Sequence, residues 1–404
     1  MKFNKVSQLL LVSFLGLILA TGLSGCYLVT IAYVYVACSK GAGAGSAGEI
    51  IAYDVDGSSG ALRGGPPAVS SGGNQPVSLA TTGNYYHLYV ANQGNNSLVH
   101  FSIDDHGNLT QKESVTLPHT PVAIAANQAN TYVYAVSGTA SATLTEYPID
   151  DNGVIGSPAA TVSLTLPGFP SDTLVPTGVT VLANSSAVYV TAYDKSAYNP
   201  GGSTSSDANP GWVFGYAVGS GGALTPVAGS PYQAGIKPSA LATDPVNRFV
   251  YVTDYASNEL IGYTVLSNDS LDFMPNGPFK TGNEPTALAI DPRGIYIYLS
   301  NSLDSSVSAY SITLQTGTPS TIVNSTASAG NSTDTEPVSI IVDPALGRFV
   351  YTANNLGNSV SGFRLNPETG ALSTLQATPY PTGYGPTSLA AVPHGNHATQ
   401  SVTP

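Results

Sequence analysis

Lys237, Glu284 and Glu336 each stand immediately before a proline, at Pro238, Pro285 and Pro337. Gln75, Thr120, Val175 and Gly385 hold the same place before Pro76, Pro121, Pro176 and Pro386. A lysine ammonium beside carboxylates can grip a polar or sugar-like ligand through charge-assisted hydrogen bonds, provided that the fold gathers these positions at one mouth. Tyr193, Tyr198 and Trp212 surround the longest polar stretch, 194–211, and offer aromatic faces suited to sugar rings or peptide side chains. Trp212 also opens the apolar run WVFGYAV, where core packing is an equal expectation.

Dedicated catalytic motifs are missing: the chain has no HExxH, GxSxG, P-loop or CxxC pattern. The histidines at 87, 100, 106, 119, 394 and 397 have no metal-ligand spacing, so neither a metal nor a cofactor is expected. Asp244, Asp291 and Asp343 each precede a proline and read as Asx caps of a turn rather than calcium ligands. Asp54 and Asp56 in DVDGSSG begin a calcium-like series that does not continue.

The elements that must position these residues are repeats. The segments PVSLATT, PVAIAAN, PTGVTVL, PSALATD, PTALAID, PVSIIVD and PTSLAAV recur at intervals of 45, 55, 62, 47, 52 and 49 residues. A second strand signal follows most of them, as in LYVAN, FVYVTD, IYIYLS and FVYTAN. A third follows that, as in ELIGYTVL or SVSGFRLN, and then a Gly- or Asn-bearing turn and a weaker fourth strand. Four antiparallel strands per repeat make a propeller blade. The first unit, 33–75, lacks its proline strand, and the last stops after 386–393. Each supplies the other's missing piece. The expected fold is therefore all-β: a seven-bladed β-propeller with four-stranded antiparallel blades, closed by pairing the C-terminal strand with the N-terminal blade.

Composition agrees. Only 9% of the 404 residues are charged, 42% are hydrophobic, and 12 Lys+Arg against 24 Asp+Glu leave a formal net charge of −12. That balance excludes nucleic-acid partners, which need clustered basic residues, and argues against disorder and long amphipathic helices. At the N-terminus, Lys2 and Lys5 precede an apolar run, Leu9 to Ala20, too short to span a bilayer comfortably. Leu23-Ser24-Gly25-Cys26 then resembles the bacterial lipobox, in which the cysteine is acylated and the leader cut before it. The chain divides accordingly into a signal peptide (1–25), a propeller (26–393) and a tail (394–404). The resemblance implies export to the bacterial cell envelope and a membrane anchor through lipidated Cys26. Cys38, without a partner, is expected to be a small buried thiol.

YVTD, YVTA, YVAN and YTAN, each followed by a polar run and a strand such as NSVSGF, resemble the blade signature of the YVTN-repeat and lactonase-like propellers. That family has a 6-phosphogluconolactonase-type seven-bladed fold. The pattern Asp244-Pro245-Val246-Asn247-Arg248-Phe249-Val250-Tyr251 and its counterpart at 343–351 agree. The resemblance implies an inner strand that starts at the upper face of each blade. Loops joining second to third strands, and blade to blade, then lie on that face. The four enlarged segments, Ser39 to Gly48, Leu166 to Val175, Asp194 to Gly211 and Gln315 to Glu336, all fall there, which marks it as the binding face.

The family's implied activity is the opening of a sugar lactone by acidic, basic and His/Arg groups at the channel mouth. Its Pro-Arg-His corresponds to Lys237-Pro238-Ser239 here, and its following Glu to Tyr255; only His119, in LPHTPVAI, matches. Two readings follow. One is a non-catalytic, lipid-anchored module presenting its upper face to a protein, glycan or cell-envelope ligand. The other is a lactonase-like hydrolase acting through His119 with Glu284 or Glu336.

Overall fold

The recurring prolines lie at or near the start of the innermost strands of seven antiparallel sheets in a computed structural model that describes residues 29–41, 45–138, 142–168, 173–195, 197, 209–322 and 331–395. The leader 1–25, Cys26 and Tyr198 lie outside the described residues. Blade one joins the C-terminal strand Tyr384–Pro393 to Thr30–Ser39, Ala47–Asp56 and Leu62–Gly64. Tyr35 pairs with Ala390 in that closure, and Val36 with Leu389. Blade two begins at Pro76–Thr81, blade three at Pro121–Ala126 and blade four at Leu174–Val181. Blades five, six and seven begin at Pro238–Thr243, Pro285–Ile290 and Pro337–Val342. The expected fold is the observed one.

Three boundaries differ from the sequence expectation. Blade one's inner strand starts at Tyr384, two residues before Pro386. Blade four's inner strand starts at Leu174, so Val175 is a strand residue paired with Tyr193 rather than part of a lead-in loop. The segment 315–336 is not one upper connection: Pro319–Thr321 and Asn331–Ser332 both pair with the third strand of blade six. The fourth strand is also broken in five blades, where two short pieces both pair with the third strand, as Leu271–Phe273 and Phe279–Lys280 do in blade five.

Burial follows from stacking. Each second strand packs against a neighbour on both faces, so His87–Asn92, Phe249–Asp254, Tyr296–Asn301 and Phe349–Asn354 are buried throughout. A strand sandwiched on both sides reads as a continuous apolar run rather than an alternation, which is why charge is so scarce. Inner strands carry hydroxyls that stitch neighbours together. Ser239 Oγ donates to Pro285 O (2.6 Å), Thr286 Oγ1 to Pro337 O (2.7 Å) and Thr387 Oγ1 to Pro76 O (2.7 Å).

The tyrosine of the YVTN-like signature has a structural task. Tyr35, Tyr89, Tyr251, Tyr298 and Tyr351 each donate a hydroxyl hydrogen bond to a glycine carbonyl in the turn of the next blade, and Tyr189 does so to Asp269 O. Six of the seven blade junctions are latched this way. Tyr134, between blades three and four, is the exception: its buried hydroxyl has no hydrogen-bond partner. Tyr298→Phe, which leaves the Gly370 carbonyl unpaired, is expected to cost about 1 kcal/mol in denaturant titration.

Among the described residues no helix is long and apolar enough to cross a membrane. Cys38 is fully buried beside Glu49, and burial pushes its thiol up to about 12.

Candidate functional site

Five of the seven lead-in residues are held in one way. Each carbonyl accepts the N–H of the loop joining the second and third strands: Gln93 N to Gln75 O (2.8 Å), Gly138 N to Thr120 O (2.9 Å), Tyr255 N to Lys237 O (2.9 Å), Ser302 N to Glu284 O (2.9 Å) and Asn355 N to Glu336 O (2.7 Å). Gln75, Glu284 and Glu336 adopt left-handed backbone, with φ of 52°, 54° and 58°, where the seventh position is Gly385 at 55°. An L-residue pays for that conformation in strain that glycine avoids. Polar side chains thus stand at three upper-mouth positions that glycine fits better. Glu336→Gly is expected to raise the melting temperature slightly, a gain below about 1 kcal/mol once the extra freedom of the unfolded glycine is counted.

Lys237 is fixed more firmly. The fully buried Asp254 accepts the backbone N–H of Ile236 (2.7 Å), Lys237 (3.0 Å) and Ala256 (3.1 Å), tying blade five's lead-in to its upper hairpin. The Lys237 ammonium lies 4.4 Å from the ring centroid of Tyr255 and 5.8 Å from that of Tyr193, across the junction with blade four. Cation–π attraction of this kind contributes about 0.5–1 kcal/mol at a partly exposed site. The structure therefore brings Lys237 and Tyr193 together and adds Tyr255. Asn258 Oδ1 accepts the Glu284 N–H (2.8 Å), linking the next lead-in to the same hairpin.

The remaining site residues stand apart. His119 is exposed in the connection before blade three, and among the described residues no hydrogen bond or ion pair joins it to Glu284 or Glu336. Those carboxylates belong to blades six and seven, each three blades from His119 around the ring. Gln75, in blade two, is half-buried. Trp212 is half-buried against the apolar core of blades three and four, and its Nε1 finds no hydrogen-bond partner.

The lower mouth holds a cavity of about 490 Å³, lined by Tyr85, Gln128, Pro245, Pro292, Asp244 and Asp291 among others. Its carboxylates are committed. Asp244 binds the Arg248 guanidinium at 2.8 Å and accepts the Phe249 N–H (3.0 Å); Asp291 binds Arg293 at 2.8 Å and accepts from Ile295 and Tyr296 N–H. Asp343, which lacks such an arginine, accepts from Leu346, Arg348 and Phe349 N–H, and its burial raises its pKa. All three are Asx caps. Asp56 is likewise a turn cap: burial would raise its carboxyl, but hydrogen bonds from Ser58 and Ser59 prevail and lower it to about 2.

Two buried polar groups escaped the sequence reading. His87 Nδ1 and His100 Nε2 meet at 3.0 Å, and burial lowers His100 to about 4, so the pair is neutral at pH 7. Glu146, fully buried between blades three and four, has no well-formed hydrogen bond on either oxygen, and the Tyr134 hydroxyl is the polar group that interacts with it. Burial raises its carboxyl to about 7, a rise that the nearby Tyr134 partly opposes.

A family profile described as "Lactonase, 7-bladed beta-propeller" matches residues 33–174 and 223–398. The gap between these spans covers most of blade four, including Tyr193 and Trp212. No protein of curated function matches the sequence. Among solved structures, the periplasmic gluconolactonase PpgL of Pseudomonas aeruginosa shares 16% identity over 90% of this chain and 99% of that one, with a TM-score of 0.72. A putative 6-phosphogluconolactonase of Bacteroides uniformis shares 15% identity, with coverage of 90% and 99% and a TM-score of 0.70. A protein from Lactobacillus plantarum shares 17%, with 90% and 100% coverage and a TM-score of 0.68. At these identities the likeness is one of fold, whereas the profile spans most of the sequence, and the chain belongs to the lactonase family of seven-bladed β-propellers.

Proposed function

We propose that the protein is an exported, lipid-anchored propeller that acts as a non-catalytic binding module, presenting its upper face to a protein, glycan or other cell-envelope ligand. The observation that carries the binding reading is the Lys237 ammonium over Tyr255 and near Tyr193, on the rim that also bears Gln75, Glu284 and Glu336. Aromatic faces with adjacent charge suit the alternating apolar and hydroxyl surfaces of a sugar ring. Lys2, Lys5, the apolar run Leu9 to Ala20 and Cys26 support export and acylation. Sugar-lactone opening, suggested by the name of the Pseudomonas aeruginosa protein, is the second reading and needs His119 to work with a carboxylate.

Binding to immobilised cell-wall glycan is the test. Wild-type protein is expected to be retained, and Lys237→Ala combined with Tyr255→Ala to lose about tenfold or more in affinity, as when a central aromatic and its charged neighbour are removed. The double variant should melt close to the wild type. Equal retention of both proteins would remove the rim from the account.

A further inference from the structure

The fold fixes which face an anchored molecule turns to the membrane. Blade one's inner strand, Tyr384–Pro393, runs downward from the upper face, and Thr30–Ser39 pairs with it antiparallel. Thr30 is therefore at the lower face, with Val29 exposed just below it. Between Cys26 and Val29 lie only Tyr27 and Leu28. Three peptide steps at full extension reach about 10 Å. An acyl chain on Cys26 thus leaves no linker long enough to carry the upper face round to the lipid.

The lower face is suited to that contact. Ten large hydrophobic side chains are exposed among the described residues, and Val29, Tyr86, Val154, Val246, Leu266 and Leu314 sit at lower-face turns or the lower end of blade one. Leu303, Leu356 and Tyr384 are on the upper face, and Phe273 is on an outer strand. The same face also bears charge: exposed Asp104 and Asp150 accept the N–H groups of His106 and Asn108 and of Asn152 and Val154, which lowers their pKa, and Asp105 and Asp151 are exposed beside them. We propose that the lower face rests on the lipid surface, with its exposed apolar turns at the headgroup level, and that the upper mouth points away from the membrane. This inference rests on acylation of Cys26. Apolar side chains at an interface add to the binding that the acyl chains supply.

The full chain, processed in a bacterial host and reconstituted in phosphatidylcholine vesicles carrying a headgroup nitroxide, tests it. Val246→Cys or Leu303→Cys is labelled with bimane; buried Cys38, its thiol pushed up to about 12, stays unlabelled. The expected result is loss of fluorescence for the label at position 246 and none at 303. Quenching at 303 alone, or equally at both positions, in protein that floats with the vesicles overturns the orientation while leaving the anchor intact. Protein that lacks acyl mass on its N-terminal peptide and does not float overturns the anchor, and the orientation with it.

Discussion

Replacing Glu146 with Gln is expected to stabilise the propeller by about 3 kcal/mol near pH 8 and to change little near pH 4, because burial lifts the carboxyl from 4.5 to about 7. The sign follows from linkage. The folded state binds this proton more tightly than the unfolded chain, so the stability it contributes is complete below the unfolded value. That contribution is lost as pH rises from about 4.5 to about 7, and above that range the folded protein carries a buried carboxylate with the Tyr134 hydroxyl only partly compensating its lost hydration. Glutamine keeps the shape and stays neutral at every pH. Denaturant midpoints across this range check the point: wild-type stability should fall with rising pH relative to the variant, and parallel curves would contradict it.

Gly370→Ala and Gly317→Ala are each expected to cost about 3 kcal/mol, combining left-handed strain with an overpacked junction. Gly370 has φ of 71°, and a Cβ there would meet the Tyr296 ring at 2.5 Å and Ile322 Cδ1 at 2.6 Å. Gly317, at 73°, would meet Met274 at 2.3 Å and the Phe249 ring at 2.5 Å. Each glycine carbonyl also receives a latch tyrosine, so the turn cannot withdraw without breaking Tyr298 or Tyr251 from its partner. Gly221 is the control: its φ is 72°, but nothing lies within 4 Å of an added Cβ, so Gly221→Ala should cost only about 1 kcal/mol from strain. Thermal melts of the three variants should show this separation.

The ring was legible in the chain because its determinants recur locally. A proline stands at or near the start of each inner strand, an apolar run with a central tyrosine forms the next, and a Gly or Asn turn closes the third onto the fourth. The missing first strand of one unit and the orphan last strand of another identified the closure. Contacts set by packing across blades were not legible. Lys237 meets Tyr255 because buried Asp254 ties lead-in to hairpin, and it meets Tyr193 only through the neighbouring blade. Glu146 reads as an ordinary strand residue; only the stacking of blade four, with Gly222 pressed against it, shows that it is buried. The left-handed Gln75, Glu284 and Glu336 left one trace, the Gly385 at the equivalent position.

Turnover of a panel of sugar lactones by wild type and His119→Ala tests the central claim most directly. With His119 exposed on blade three and the carboxylates on blades six and seven, hydrolysis is expected to run at the uncatalysed rate with both proteins. Wild-type turnover above that rate, abolished by His119→Ala, would contradict the non-catalytic reading and make the upper mouth an active site.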